Sequence, residues 1–188
     1  MLRSRLLPWL FTAGLFLAAA CGDSVSPTTD RAAAAPTSSP VNLITLTGSI
    51  RLTGEKLYPV VLSTSTGFEI PLTGENANIL MSVENAGVEV HGRWDPEGGD
   101  GFFVSDFLVE TMGGSAVIDG TLVAVYSTPT DIDGDPIAYA IRPTLGGSDV
   151  NLSDPSADLV AHLNQRLWVA GVDASGGTPT AYGVIKEM

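Results

Sequence analysis

Between Val41 and Met188 the apolar residues fall in short runs at period two, separated by Gly, Asn, Asp and Pro. Leu46, Ile50 and Leu52 open the pattern, Val60 and Leu62 continue it, and Phe68, Ile70 and Leu72 extend it. Alternation places every second side chain on one face, so each run predicts a half-buried strand and the chain reads as all-β. No stretch has the spacing of a long helix. Two connectors predict short ones. From Glu75 to Ala86, Ile79, Leu80 and Val83 share a helical face, with Gly87 as the expected stop. In the second connector Ser153 or Asp154 is the expected N-cap and Pro155 the first helical residue. Leu159, Val160 and Leu163 form its stripe and Asn164 its stop.

The elements repeat. Leu46-Thr47-Gly48-Ser49-Ile50 matches Ile118-Asp119-Gly120-Thr121-Leu122, 72 residues later, and Val88-Glu89-Val90-His91-Gly92-Arg93 matches Leu167-Trp168-Val169-Ala170-Gly171-Val172, 79 residues later. Phe102-Phe103-Val104 falls opposite Ala181-Tyr182-Gly183-Val184. The longer loop from Ser127 to Pro136 accounts for the growing offset. Each copy then runs three strands, a short helix and two strands. That order resembles the OB fold, a five-stranded Greek-key barrel with a helix between its third and fourth strands. The resemblance covers about 140 residues and extends to OB-like domains of bacterial envelope lipoproteins. It implies two tandem five-stranded OB-like barrels packed together, residues 41–112 and 116–188; a single β-sandwich or barrel is the alternative. A unit of about 70 residues is marginal alone, and the joint from Thr111 to Ser115 is short, so the copies are expected to dock into one body.

Ahead of the repeats lies a different composition. Arg3 and Arg5 precede the uncharged 15-residue run Leu6 to Ala20, the layout of a cleavable signal peptide over residues 1–20 and too short for an ordinary membrane span. Leu17-Ala18-Ala19-Ala20-Cys21 resembles the lipobox of bacterial lipoproteins, with its leucine one place earlier than usual. The resemblance implies that Cys21 becomes the first mature residue and carries two or three acyl chains, enough for a stable anchor. Gly22, rather than Asp, follows the cysteine, which in such proteins favours the outer membrane over retention in the inner one. From Gly22 to Pro40, 14 of 19 residues are Ser, Thr, Ala or Pro, so residues 21–40 are expected to form a disordered tether, about 65 Å long when extended.

Charge and composition narrow the function. The chain carries a net charge of −12, and Val41 to Met188 holds 6 Lys plus Arg against 19 Asp plus Glu, which disfavours nucleic acid and anionic lipid. One cysteine excludes an intrachain disulfide framework and Cys-based zinc clusters. His91 alternates with Glu89 and Arg93 on the expected solvent face of a strand, and His162 sits in the second short helix. Neither has a nucleophile pattern beside it. Asp131-Ile132-Asp133-Gly134-Asp135 has the carboxylates for Ca²⁺ but lacks the EF-hand order, and a hairpin turn is the favoured reading. Tyr58, Phe68 and Tyr139, with Arg142 near them, could stack on a sugar or peptide, but core or strand-pair packing is favoured for each; Trp94 and Trp168 also read as packing residues.

The expectation is therefore a lipid-anchored cell-envelope protein, attached through Cys21, with no catalytic residues, metal or cofactor. Its membrane contact is the anchor, and its β lobes bind or scaffold another envelope protein, peptide or glycan. A secreted hydrolase whose site only folding assembles, and a plain structural spacer, are the rivals.

Overall fold

The computed structural model describes residues 43–95, 99–127 and 135–186. In these the alternating runs become ten strands. In the first half they are β1 (Ile44–Leu52), β2 (Val60–Ser63), β3 (Glu69–Thr73), β4 (Ala86–Trp94) and β5 (Phe102–Met112). The second half supplies β6 (Ser115–Val125), β7 (Ala138–Pro143), β8 (Val150–Leu152), β9 (Arg166–Ala170) and β10 (Ala181–Val184). Helix α1 (Glu75–Leu80), extended by a 3₁₀ turn at Met81–Val83, joins β3 to β4, and α2 (Ala157–Val160) joins β8 to β9. The all-β class with short connecting helices is thus observed, and each half has the order three strands, helix, two strands.

All ten strands belong to one connected, mostly antiparallel sheet. Within the first half the pairings β1–β2, β2–β3, β3–β5, β5–β4 and β4–β1 run round a complete circuit, with β3 and β5 parallel through Leu72↔Phe102 and Thr73↔Phe103. The second half repeats β6–β7, β7–β8, β6–β9 and β9–β10. There the corresponding parallel contact shrinks to one bridge, Leu152↔Gly177, just ahead of β10. The halves meet in the sheet only through the β5–β6 hairpin, whose described pairs are Thr111↔Ala116 and Met112↔Ser115. The chain from Pro40 to Met188 forms one compact unit.

Equivalent residues do equivalent work in the two halves. Ile50 pairs with Leu62 where Leu122 pairs with Ile141, and Gly48 faces Val88 where Gly120 faces Leu167. Both glycines mark a close backbone approach: an added Cβ would lie 2.5 Å from the Ser63 carbonyl oxygen and 2.4 Å from that of Arg142, respectively. The fifth strands depart from the sequence match. Val90 pairs with Phe107 and Val169 with Tyr182, so Phe107, not Phe103, stands where Tyr182 does. β5 is the longer strand and its pairing with β4 shifts register twice, which sequence spacing does not reveal.

The helix ends also correct expectation. Asn85, at φ 66°, and not Gly87, ends the first connector, and its N–H donates to the Ile50 carbonyl at 2.9 Å. Asn164, at φ 64°, does the same at Leu122, 2.8 Å away. Asn tolerates the left-handed region, so the symmetry of the two stops is physical. Gly87 instead lies within β4, against the Thr111 hydroxyl. In the second connector Ser156, and neither Ser153 nor Asp154, is the N-cap; its hydroxyl accepts the Leu159 N–H at 3.2 Å. Pro155 therefore precedes the helix rather than starting it.

Each half has its own interior. Ile50, Leu62, Leu80, Val88, Phe102 and Phe107 centre the first; Leu122, Ile141, Leu152, Leu159, Leu167 and Val169 form the second. Ile185, beyond β10, is buried in the first interior, and Val117 and Trp168 pack against it.

Candidate functional site

The most completely built polar cluster sits where the hairpin β5–β6 forks. Asp119 on β6 is 3% exposed, the sole buried charged or polar residue among the described ones. Arg166 on β9 reaches it with both ends of its fork, Nε to Oδ1 and Nη2 to Oδ2, each at 2.8 Å. The Thr144 hydroxyl donates to Oδ1 at 2.9 Å and the Val109 N–H on β5 donates to Oδ2 at 2.9 Å. Arg166 Nη2 also donates to the Phe107 carbonyl at 2.6 Å, and its guanidinium lies 4.3 Å from the centre of the Phe107 ring.

These contacts decide what Asp119 can do. Four donors occupy its two oxygens, which leaves no lone pair suitably placed to take a proton from a substrate. Bidentate charge-assisted bonds of this kind hold geometry. Because Val109 and Phe107 belong to the first half and Arg166 and Thr144 to the second, the cluster ties the halves together. It also satisfies backbone groups on the stretch of β5 beyond its pairing with β6. Asn76 serves the same edge further along, donating to the Ser105 carbonyl at 2.6 Å. Beside the fork is an open cleft of about 340 Å³ lined by Leu108, Val109, Glu110, Val117, Pro143 and Leu145.

Residues singled out from sequence are dispersed. His91 Nε2 lies 2.7 Å from Glu89 Oε1 on the outward face of β4, opposite Thr45 across the β1–β4 ladder. Its buried neighbours Val88 and Val90 take the inward face, as the alternation predicted. His162 Nδ1 is 3.3 Å from Gln165 Oε1, and its ring tilts against Tyr182 with centroids 5.9 Å apart. No group of three His, Cys, Asp or Glu among the described residues is placed to hold a metal ion. Residues 131–134 of the aspartate loop lie outside the described residues, as does Cys21.

The aromatic expectations divide. Tyr139 packs against the second interior and Trp168 against the first, as expected, with the Trp168 indole directly beside Gly183. Phe68, 71% exposed at the β2–β3 turn, does not pack in the core. Trp94 meets Phe102 edge-on at 5.5 Å but stays 48% exposed. Arg142 is occupied by Asp149, with Nε and Nη2 each 3.1 Å from a carboxylate oxygen, and this pairing raises the Arg142 pKa. Tyr58, Phe68 and Tyr139 thus belong to a loop, a turn and the other half of the molecule.

Sequence reasoning missed Asp119 and Arg166 as a pair. Their separation of 47 residues hides the contact, although an Asp flanked by Ile118 and Gly120 inside a strand pattern was a usable signal. No helix among the described residues is long and apolar enough to cross a membrane. Comparison of the chain with protein-family models, curated proteins and solved structures found no match.

Proposed function

We propose that this chain is a lipid-anchored cell-envelope protein, held through acylated Cys21, whose repeated β body binds or scaffolds another envelope protein, a peptide or a glycan without catalysing a reaction. The observation that carries the reading is the position of the sole cysteine, immediately after an uncharged run ending in three alanines. A Ser/Thr/Ala/Pro-rich stretch then separates it from the first strand. On this reading residues 1–20 are removed and the outer membrane is the favoured site.

The finer fold belongs to the same proposal: each half is an OB-like five-stranded unit. In its favour are the pairing circuit of β1 to β5, the parallel β3–β5 contact and the helix between the third and fourth strands. The matching Leu152↔Gly177 bridge in the second half supports it too. A non-enzymatic role accords with Asp119 being occupied by four donors and with His91 Nε2 being held by Glu89.

Replacing Cys21 tests the anchor. Cys21→Ala is expected to abolish the acyl mass at the mature N-terminus and release the chain from membrane fractions; an unchanged, membrane-bound product would sink it. Crosslinking in intact envelopes followed by affinity capture tests the binding role, and a chain that captures no envelope component reproducibly would return it to a spacer.

A further inference from the structure

Exposed apolar side chains collect at one end of the first half. Of the eight large ones exposed among the described residues, five are Leu43, Ile44, Leu57, Trp94 and Phe103, all between 40% and 77% exposed. The pairing brings them together. Ile44 opens β1 opposite Gly92, two places before Trp94, and across the next ladder Arg93 faces Phe103 and Trp94 faces Phe102. The Arg93 guanidinium lies 5.5 Å from the centre of the Phe103 ring. That ring would sit 3.0 Å from a Cβ at Gly74, and Leu57 lines a cleft with the same Gly74. The result is a rim of three strand ends and one loop.

We propose that this rim, with Arg93, seats the body on the surface of a zwitterionic lipid bilayer. The inference rests on the anchor reading in one respect: Leu43 is 22 residues from Cys21, so the chain reaches the body at the rim itself. On the tether expected from composition, the ends of such a stretch would lie about 25 Å apart, while a body of about 150 residues has a radius of gyration near 15 Å. An anchor at Cys21 therefore presents this end to the membrane before any other, and tethering turns a weak surface contact into an intramolecular one. The side chains suit the place. Trp and Phe settle where hydrocarbon meets headgroups, Leu and Ile dip below, and a long Arg lays its stem on apolar surface with its charge in the phosphate layer. Glu55 shares the β1–β2 loop with Lys56 and Leu57, Asp100 stands between β4 and β5, Glu75 opens α1, and the body is strongly acidic, so the bilayer surface that fits is uncharged overall rather than anionic.

The test couples the chain from Cys21 onward, through its thiol, to a maleimide lipid in phosphatidylcholine vesicles carrying bromine on their acyl chains. This chain holds two tryptophans, Trp94 and Trp168. Quenching is expected for Trp94 and should vanish in Trp94→Phe, leaving Trp168 unaffected. Leu57→Ser and Phe103→Ser, with unchanged circular dichroism, should each lower the docked-to-undocked ratio about tenfold. Unquenched Trp94 in the folded, coupled chain overturns the proposal. So does Trp94 emission that responds to an added glycan or peptide but not to brominated lipid, which would give the rim to a soluble ligand. Chemical coupling replaces the acyl chains, so quenching together with an unmodified Cys21 in cells would support the membrane-facing rim and overturn only the anchor.

Discussion

The two halves of the body share an order of elements and differ in how much interior that order encloses. Among the described residues, the first half buries fifteen in its interior, one of them Ile185 from near the far end of the chain, and the second buries six in its own. Its circuit closes through a two-residue parallel pairing, whereas the second closes through one bridge. The first helix continues into a 3₁₀ turn that adds Val83 to the core, while α2 contributes one fully buried side chain, Leu159. Hydrophobic stabilisation scales with apolar area removed from water, so the smaller interior is the less stable one and leans on its neighbour. The Asp119 cluster and Ile185 are where it leans. A duplicated topology need not mean two self-sufficient folds.

The largest expected effect comes from Asp119→Ala. It leaves Arg166 without its carboxylate and strips a partner from Val109 and Thr144, so destabilisation of about 3–5 kcal/mol is expected in denaturant unfolding. Hydrogen exchange should then rise first in β9 and β10. Equal loss of protection in β1 and β4 would break the asymmetry between the halves. Leu122→Ala, in the smaller interior, should cost about 3 kcal/mol and broaden the unfolding transition, whereas Ile50→Ala at the equivalent place should shift the midpoint of a single transition. Two identical responses would argue that the halves share one cooperative core.

Ile185→Ala separates the lean from the core. It should cost about 2 kcal/mol and lower protection in the first half as well, because Ile185 is buried there although it follows the last strand. Smaller still is Ser156→Ala, expected at about 1 kcal/mol because it removes the α2 N-cap. The first helix has Gly74 at that position with no side-chain cap, so no matching substitution exists in the other half.

The smallest effect concerns pH. Ser175 donates both its hydroxyl and its N–H to Asp173, and these bonds lower the carboxyl's pKa from its ordinary value. A lowered folded pKa means a contribution fully present above the ordinary aspartate range, near 3.9, and lost as pH falls through the folded value. The side chain is exposed, so the change is local. NMR titration should show Asp173 ionising below that range and returning to it in Ser175→Ala.

How much of this was legible depends on the range of the interaction. The strand runs, the connectors and the match between Leu46–Ile50 and Ile118–Leu122 as repeats follow from neighbours along the chain, and Asn164 as a stop follows from the tolerance of Asn for positive φ. Asn85 obeys the same rule but was masked by Gly87 two residues on, a better left-handed residue in isolation that instead serves a close approach in β4. Exposure was less legible. Trp94 and Phe68 look like core residues by type, and nothing local says that one stands at a sheet end and the other on a turn.

Alternation of apolar and polar side chains, Gly-rich turns and the twofold order of segments are properties of short stretches, and the amino-acid sequence alone determined them. Which strand lies beside which, that β5 is shifted against its counterpart, and that Asp119 finds Arg166 were decided by tertiary structure. The reason is that hydrogen-bond register and the desolvation of a charge depend on groups that folding alone brings together. The apolar rim at the start of β1 arises in the same way, from residues of four separate segments that share a surface only once the ladders have formed.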